Sequence, residues 1–531
     1  MLNDAGKRAA AGTAAAALTL GVAASAAVAP PAAVASPGPA PRPAGLAWKT
    51  CPADDPVEGT RLKGLQCASV RVPLDHSRPR GEQITLELTR ARHTASRSQG
   101  VVLLNRGGPG AHGRDMPALF KSALPEKVAA SYDWIGFDPR GVGASKPSLI
   151  CDPSYQNPGR ARPDTIPANA REERVWTARA KSYADDCAKK YRRILPHMGT
   201  AGWARDMDEI RKALGQEKLN YFGYSYGSYL GAVYATMFPG RVRRMVLDSL
   251  VRPSGVWYGN NLDQNVAFEK RIRAYFSWIA RHHKTYRLGT SARQVSAAYA
   301  KVRAAVKAKP LGGKVGPSEL DDVFLADGYA DHSWAAHARA LSAYVVRRDA
   351  GPLRKAWQPP GRLDQNNYTV YNAVQCRDAS WPRDWSRWHA DSDRLYREGY
   401  RFETWSNTWY NAPCAFWGVK GGPAPRVRGS ASLPPILLVQ AGEDAATPYE
   451  GALETHRRLP TSRLLVQVGG HNHGVAMSGD RCVDRAVAAY LGAGRVPASR
   501  IGPDAECEAA PEPEPAKGKR PDGAEHAVPH R

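Results

Sequence analysis

The chain has 531 residues, 43% of them hydrophobic, with 14 Trp and 22 Tyr. That excludes a fibrous or disordered protein and suits one large α/β unit with an inserted second domain. Lys and Arg number 74 against 50 Asp and Glu, a formal charge of +24, but no long basic run or nucleic-acid module concentrates it. Nucleic acid is therefore not expected as a partner, and the excess reads as a solvated surface attracted to anionic cell-wall polymers.

Lys7 and Arg8 precede an uncharged, alanine-rich run, Ala9 to Ala29, and the small-residue pattern Ala33-Val34-Ala35 stands before Ser36. This has the form of a secretory signal peptide over 1–35. The run is Ala-rich rather than Leu-rich, which argues against a retained membrane anchor. A Pro/Ala/Gly linker follows over 36–47. No later uncharged run is long enough to span a bilayer, so no stable membrane insertion is expected after cleavage, and the protein is expected outside the cell or at its wall.

Export makes the cysteines interpretable. An even set of eight in an exported chain argues for disulfides. The residues fall into sequence-local couples: Cys51 with Cys67, Cys151 with Cys187, Cys376 with Cys414, and Cys482 with Cys507. No Cys-x-x-Cys or Cys-x-x-His spacing supports a zinc site.

"CASVRVPL" (67–74) and "QITLELTRARH" (83–93) alternate apolar and polar residues, as half-buried antiparallel strands do. "GVVLLN" (100–105) and "DWIGFD" (133–138) are continuous apolar runs, as buried parallel strands are. A helical stretch at 204–214 precedes the strand "LNYFGYS", the helix "YGSYLGAVYATMF" and the strand "VRRMVLDS" (242–249). Two more apolar strands come late, "PPILLVQAG" (434–442) and "SRLLVQVGG" (462–470), and the helix "CVDRAVAAYL" (482–491) closes the set. This order predicts a mostly parallel, doubly wound α/β sheet. The stretch 252–433 is too long for a loop and carries amphipathic segments such as 291–308, so a mainly helical cap is expected there. The expected organisation is core over 48–251 and 434–508, cap over 252–433, and a disordered tail over 509–531.

Within this order the pattern Gly223-x-Ser225-x-Gly227 falls where a strand gives way to a helix, the context of a nucleophile elbow. Glycines at 223 and 227 remove side chains that would clash in so sharp a turn, and Gly231 lets the helix lie close to the sheet. Ser228 lacks this glycine frame, so Ser225 is the nucleophile candidate. A serine needs a base, and the base an orienting carboxylate. Asp444 follows one late strand and His473 the next. His471 is a rival base, and Asp248 and Glu443 are rival acids. The early loop "NRGGPGAHG" (105–113) is the candidate for an oxyanion site. The amide of Tyr226 should give one donor, and Gly107, Gly108 or Gly110 the other.

Together these segments resemble the secreted bacterial tripeptidyl aminopeptidases, relatives of the proline iminopeptidases within the α/β-hydrolase fold. The resemblance runs from about Trp48 to Cys507. It rests on "VPLDHSRP", "GGPG", "FDPRGVGAS", "LNYFGYSYGSYLGAVYATMFPGRVRRMVLDS", "NLDQNVAFE", "KPLGGKVGPSEL", "VQCRDASWP", "LLVQAGEDAATPYEGA" and "NHGV". It implies Ser225 as nucleophile, Asp444 as acid and His473 as base, the same cysteine pairing, and release of tripeptides or shorter units from a free peptide N-terminus. No metal or organic cofactor is implied. The chain departs from the pattern at Arg106, Ala111, His112 and His471.

A free N-terminus calls for a carboxylate in the cap at a fixed distance from Ser225, and Asp378 is the candidate. Trp257, Tyr258, Trp405 and Trp417 are candidate pocket aromatics. Two other readings are kept: an esterase or amidase for small acyl compounds, and a wall-binding protein with a dead site.

Overall fold

The structure, a computed structural model, describes residues 45–515. The expected signal peptide, most of the linker and the end of the tail (516–531) lie outside the described residues.

Ten strands form one sheet: β1 (Lys49–Thr50), β2 (Gln66–Pro73), β3 (Gln83–Ala91), β4 (Val101–Asn105), β5 (Asp133–Asp138), β6 (Leu219–Tyr224), β7 (Val242–Asp248), β8 (Leu437–Ala441), β9 (Arg463–Val468) and β10 (Ala505–Glu508). Their spatial order is β1-β2-β3-β5-β4-β6-β7-β8-β9-β10. β1 to β3 pair antiparallel, β3 meets β5 antiparallel, and the remaining pairs are parallel. The fold is that of an α/β-hydrolase.

The apolar runs explain the parallel part. Every residue of β4, β6 and β8 is buried, because helices cover both faces of the sheet. Successive side chains alternate between two cores. Val102, Leu104 and Phe222 join Phe120, Trp134 and Leu491 on one face; Leu103, Ile135 and Tyr221 join Trp203 and Leu230 on the other.

Between β7 and β8 the chain is helical, including the helices Tyr258–Arg281, Ala292–Ala308, Pro317–Tyr329, Trp334–Arg347, Arg362–Asp378 and Thr404–Asn411. Part of this insertion has its own core, built on Ile272, Tyr275, Trp278, Val302, Phe324 and Trp334. Disulfides join Cys51 to Cys67, Cys151 to Cys187, Cys376 to Cys414, and Cys482 to Cys507.

The chain end differs from a tail loose from 509. β10 adds a parallel edge strand to β9, and the Ala509 N–H donates to the Val468 carbonyl at 3.0 Å. The Trp278 indole then donates to the Pro513 carbonyl at 3.0 Å, and Glu512 pairs with Arg281. These partners hold a segment that has no apolar periodicity of its own.

Candidate active site

Ser225 stands between β6 and the helix Tyr226–Met237 with φ 56° and ψ −123°, a backbone region that costs a non-glycine residue about 1–3 kcal/mol. Its N–H donates to the Asp248 carbonyl of the neighbouring strand at 2.9 Å. The flanking glycines are required by close approach. A Cβ on Gly223 would lie 2.5 Å from the Gly227 carbonyl oxygen, and one on Gly227 would lie 2.8 Å from Asn105 Oδ1.

Asp444 and His473 follow β8 and β9 and meet. His473 Nδ1 lies 2.8 Å from Asp444 Oδ2 and 3.0 Å from Oδ1. Asp444 also accepts from the N–H groups of Ala446 at 2.9 Å and Thr447 at 3.0 Å, and from Thr447 Oγ1 at 2.8 Å. A carboxylate can only accept, so His473 donates from Nδ1 and keeps a lone pair on Nε2. Both side chains are buried.

Two of the rival groups, Asp248 and His471, are engaged elsewhere. Asp248 Oδ2 accepts from the N–H groups of Val475 at 3.0 Å and Ala476 at 2.6 Å, fastening the chain just after His473. Burial pushes the Asp248 carboxyl up to about 7. Glu443 is exposed. His471 Nε2 lies 2.9 Å from Asp331 Oδ2 in the insertion.

The early glycine loop packs directly beneath the elbow. Gly107 has φ 105°, and a Cβ there would lie 2.6 Å from the Tyr224 carbonyl and 3.0 Å from Ser225 Cβ. Tyr226 is the first residue of its helix, so its N–H has no intrahelical acceptor. Beside the loop, Arg106 pairs with Asp115 at 2.7 Å and His112 with Glu58 at 2.7 Å. Glu58, His112 and Asp115 bring ligand atoms within 4.8 Å of one another. Arg106 and Arg61, the latter 3.1 Å from Glu58, already balance that charge.

Ser225, Tyr226, Gly108 and His473 line one cavity of about 470 Å³, within the range of small-molecule sites. Trp257 lines it too; Tyr258, Trp405 and Trp417 do not. Nor does Asp378, which corrects its expected role. Its carboxylate accepts from Thr200 N at 2.6 Å, Thr200 Oγ1 at 2.5 Å and Trp257 Nε1 at 3.1 Å. Burial pushes it up to about 6 despite these donors. Thr200 Oγ1 lies 2.8 Å from the Tyr226 hydroxyl, so Asp378 braces the elbow helix from behind. The carboxylates that do line the cavity are Asp263, half-buried, and Glu450, exposed. Arg252 Nε lies 2.9 Å from Asp263. Both acids, with Asn367 and Tyr329, escaped the sequence reading, because nothing local to them signals a pocket. Thr447, three residues after Asp444 in the same turn, is by contrast signalled locally, since its hydroxyl is within reach of the Asp444 carboxylate.

A family model described as TAP-like protein matches residues 400–507. The chain is 43% identical to the tripeptidyl aminopeptidase of Streptomyces lividans, over 86% of each chain. It is 30% identical to the serine protease Hip1 of Mycobacterium tuberculosis, over 86% of this chain and 90% of that one. It is 31% identical to a carboxylesterase B of the same organism, over 86% and 89%.

Proposed function

The chain belongs to the tripeptidyl aminopeptidase family of α/β-hydrolases and is a serine exopeptidase, and from that premise we propose that Ser225, His473 and Asp444 carry the reaction. Ser225 Oγ attacks the carbonyl carbon that ends the released unit while His473 Nε2 takes its proton. Asp444 holds the ring and balances the imidazolium. The N–H groups of Tyr226 and Gly108 receive the oxyanion. His473 then protonates the departing amine, leaving an acyl-enzyme. Water, deprotonated by the same imidazole, frees the peptide acid. The observation that carries this reading is the 2.8 Å contact of His473 Nδ1 with Asp444, in a cavity shared with Ser225.

The substrate is a peptide with a free N-terminus, released three residues at a time. Asp263 and Glu450 replace Asp378 as the groups that receive its ammonium, since they alone among the candidates face the cavity. Residues 252–433 act as the cap that closes this space. We place the enzyme outside the cell, delivered by a cleaved signal peptide and drawn to the wall by its positive charge. Four disulfides support that location, and among the described residues no helix is long and apolar enough to cross a membrane.

The test compares chromogenic anilides of one, two and three residues, each with a free and an acetylated amine, with Ser225→Ala as the blank. Turnover of the free-amine tripeptide anilide alone is expected. The similarity to a carboxylesterase favours a second reading, hydrolysis of small acyl esters or amides, and indifference to acetylation would decide for it.

A further inference from the structure

A second cavity of about 450 Å³ adjoins the first and shares three lining residues with it: Tyr329, Asn367 and Tyr410. Two of the three touch the reacting machinery. The Tyr329 ring stands edge-on to His473 with centroids 5.6 Å apart, and its carbonyl accepts the His473 N–H at 2.8 Å. Asn367 packs on the oxyanion loop: a Cβ on Gly110 would lie 2.6 Å from its carbonyl oxygen, and one on Gly108 would lie 3.5 Å from its Oδ1. The partition between the cavities thus stands beside the point where a bond would be cut.

The two spaces differ in what lines them. Ser225 belongs to the first, with the acids Asp263 and Glu450 and the cations Arg252 and Lys270, of which Arg252 pairs with Asp263. The second is walled by the rings of Tyr155, Trp176, Trp357, Tyr368 and Trp409, with the run Pro359-Pro360. Its Arg162 is neutralised by Asp322, and its Arg179 lies over the ring of Tyr155 at 5.0 Å. A peptide with its ammonium in the first cavity and its cut bond at Ser225 has the second cavity beside the point from which the rest of its chain departs.

We propose that the second cavity binds the leaving polypeptide, taking apolar or aromatic side chains in the first residues beyond the cut. This rests on the assignment of Ser225 and of the first cavity to the released tripeptide. Burying an aromatic side chain against such walls gives a preference of about tenfold or more over glycine.

The experiment uses the whole protein and two substrate types. One is a free-amine tripeptide anilide, which has no residue beyond the cut. The other is the same tripeptide extended by Phe-Ala-Ala or by Gly-Ala-Ala. Wild type is expected to cleave the Phe peptide with a kcat/KM about tenfold above the Gly peptide. Ser406→Trp and Ala326→Trp each put a ring into the second cavity from a half-buried wall position. Each is expected to lower the ratio of Phe-peptide to anilide kcat/KM by about tenfold. A wild type that does not distinguish Phe from Gly overturns the proposal without any variant. So do variants that slow anilide and peptide equally, which would assign the cavity to the released unit, and folded variants that change neither. Persistence of anilide turnover in Ser225→Ala would remove the underlying reading itself, and the proposal with it.

Discussion

The carbonyl of Tyr329, at the end of a helix of the insertion, accepts the backbone N–H of His473 at 2.8 Å. Two residues on, Asp331 grips the same loop: its N–H donates to Asn472 Oδ1 at 3.0 Å, and its carboxylate receives His471 Nε2 at 2.9 Å. The His473 loop is thus held from the insertion as well as from the sheet.

Asp331→Ala should therefore lower kcat by about tenfold with little change in KM, because effective catalysis depends on sub-ångström placement of the base. Steady-state kinetics on the tripeptide anilide read this directly. A change confined to KM would mean that Asp331 shapes the pocket and does not aim the base.

Asp444→Asn keeps the shape of the turn but replaces an acceptor by a group that can present N–H to His473 Nδ1. The ring is then driven to the tautomer with its lone pair on the wrong side. A loss of about 10⁴-fold in kcat is expected, with folding intact by circular dichroism. A loss below tenfold would exclude Asp444 as the orienting acid.

Asp263→Asn and Glu450→Gln should each raise KM for the free-amine tripeptide anilide by about tenfold, the scale of one charge-assisted hydrogen bond. The acetylated anilide, which wild type is expected to leave intact, should remain uncleaved by both variants. Asp378→Asn should leave the KM for the free-amine anilide unmoved. The opposite pattern would return the amine-binding role to Asp378.

The same Asp378 makes a stability prediction. Burial, outweighing the Thr200 and Trp257 hydrogen bonds, lifts its carboxyl from 3.8 to about 6. The folded chain then holds the proton more tightly than the unfolded one. The stabilisation is fully present below the unfolded value and is lost as pH rises through the folded one. Relative to Asp378→Asn, wild type should lose about 2 kcal/mol between pH 4 and pH 6. Urea titrations at each pH test this, and parallel curves for the two proteins would refute it.

Gly107→Ala forces a methyl group into the 2.6 Å approach to the Tyr224 carbonyl, at a φ of 105°. The loop must move away from Ser225, taking its amide donors with it. A fall in kcat of about 10²-fold or more is expected, the scale of one lost oxyanion donor. Wild-type turnover in a folded Gly107→Ala protein would remove the loop from the oxyanion site.

The elbow and the late strands were legible because local backbone geometry dictates them. The turn at Ser225 accepts only glycine at 223 and 227, and β4, β6 and β8 are apolar on both faces because both faces are covered. β10 was not legible: "AECE" is short and acidic, and it becomes a strand through pairing with β9 and the bond from Cys507 to Cys482. Asp378 shows a different limit. An acid beside a cysteine on a helix reads the same whether it faces a cavity or the N–H of Thr200, and only packing between distant segments decides. Asp263 and Glu450 were hidden for the same reason, since each reaches the cavity from a separate helix start.

The insertion between β7 and β8 also orders events in time. A chain emerging from its N-terminus delivers Ser225 early, but Asp444 and His473 arrive only after the whole helical segment has passed. On the proposed assignment, a half-made molecule carries a serine hydroxyl without its base. The proposed triad is completed only when the chain beyond β9 has been made, so its assembly waits on that of the whole helical insertion.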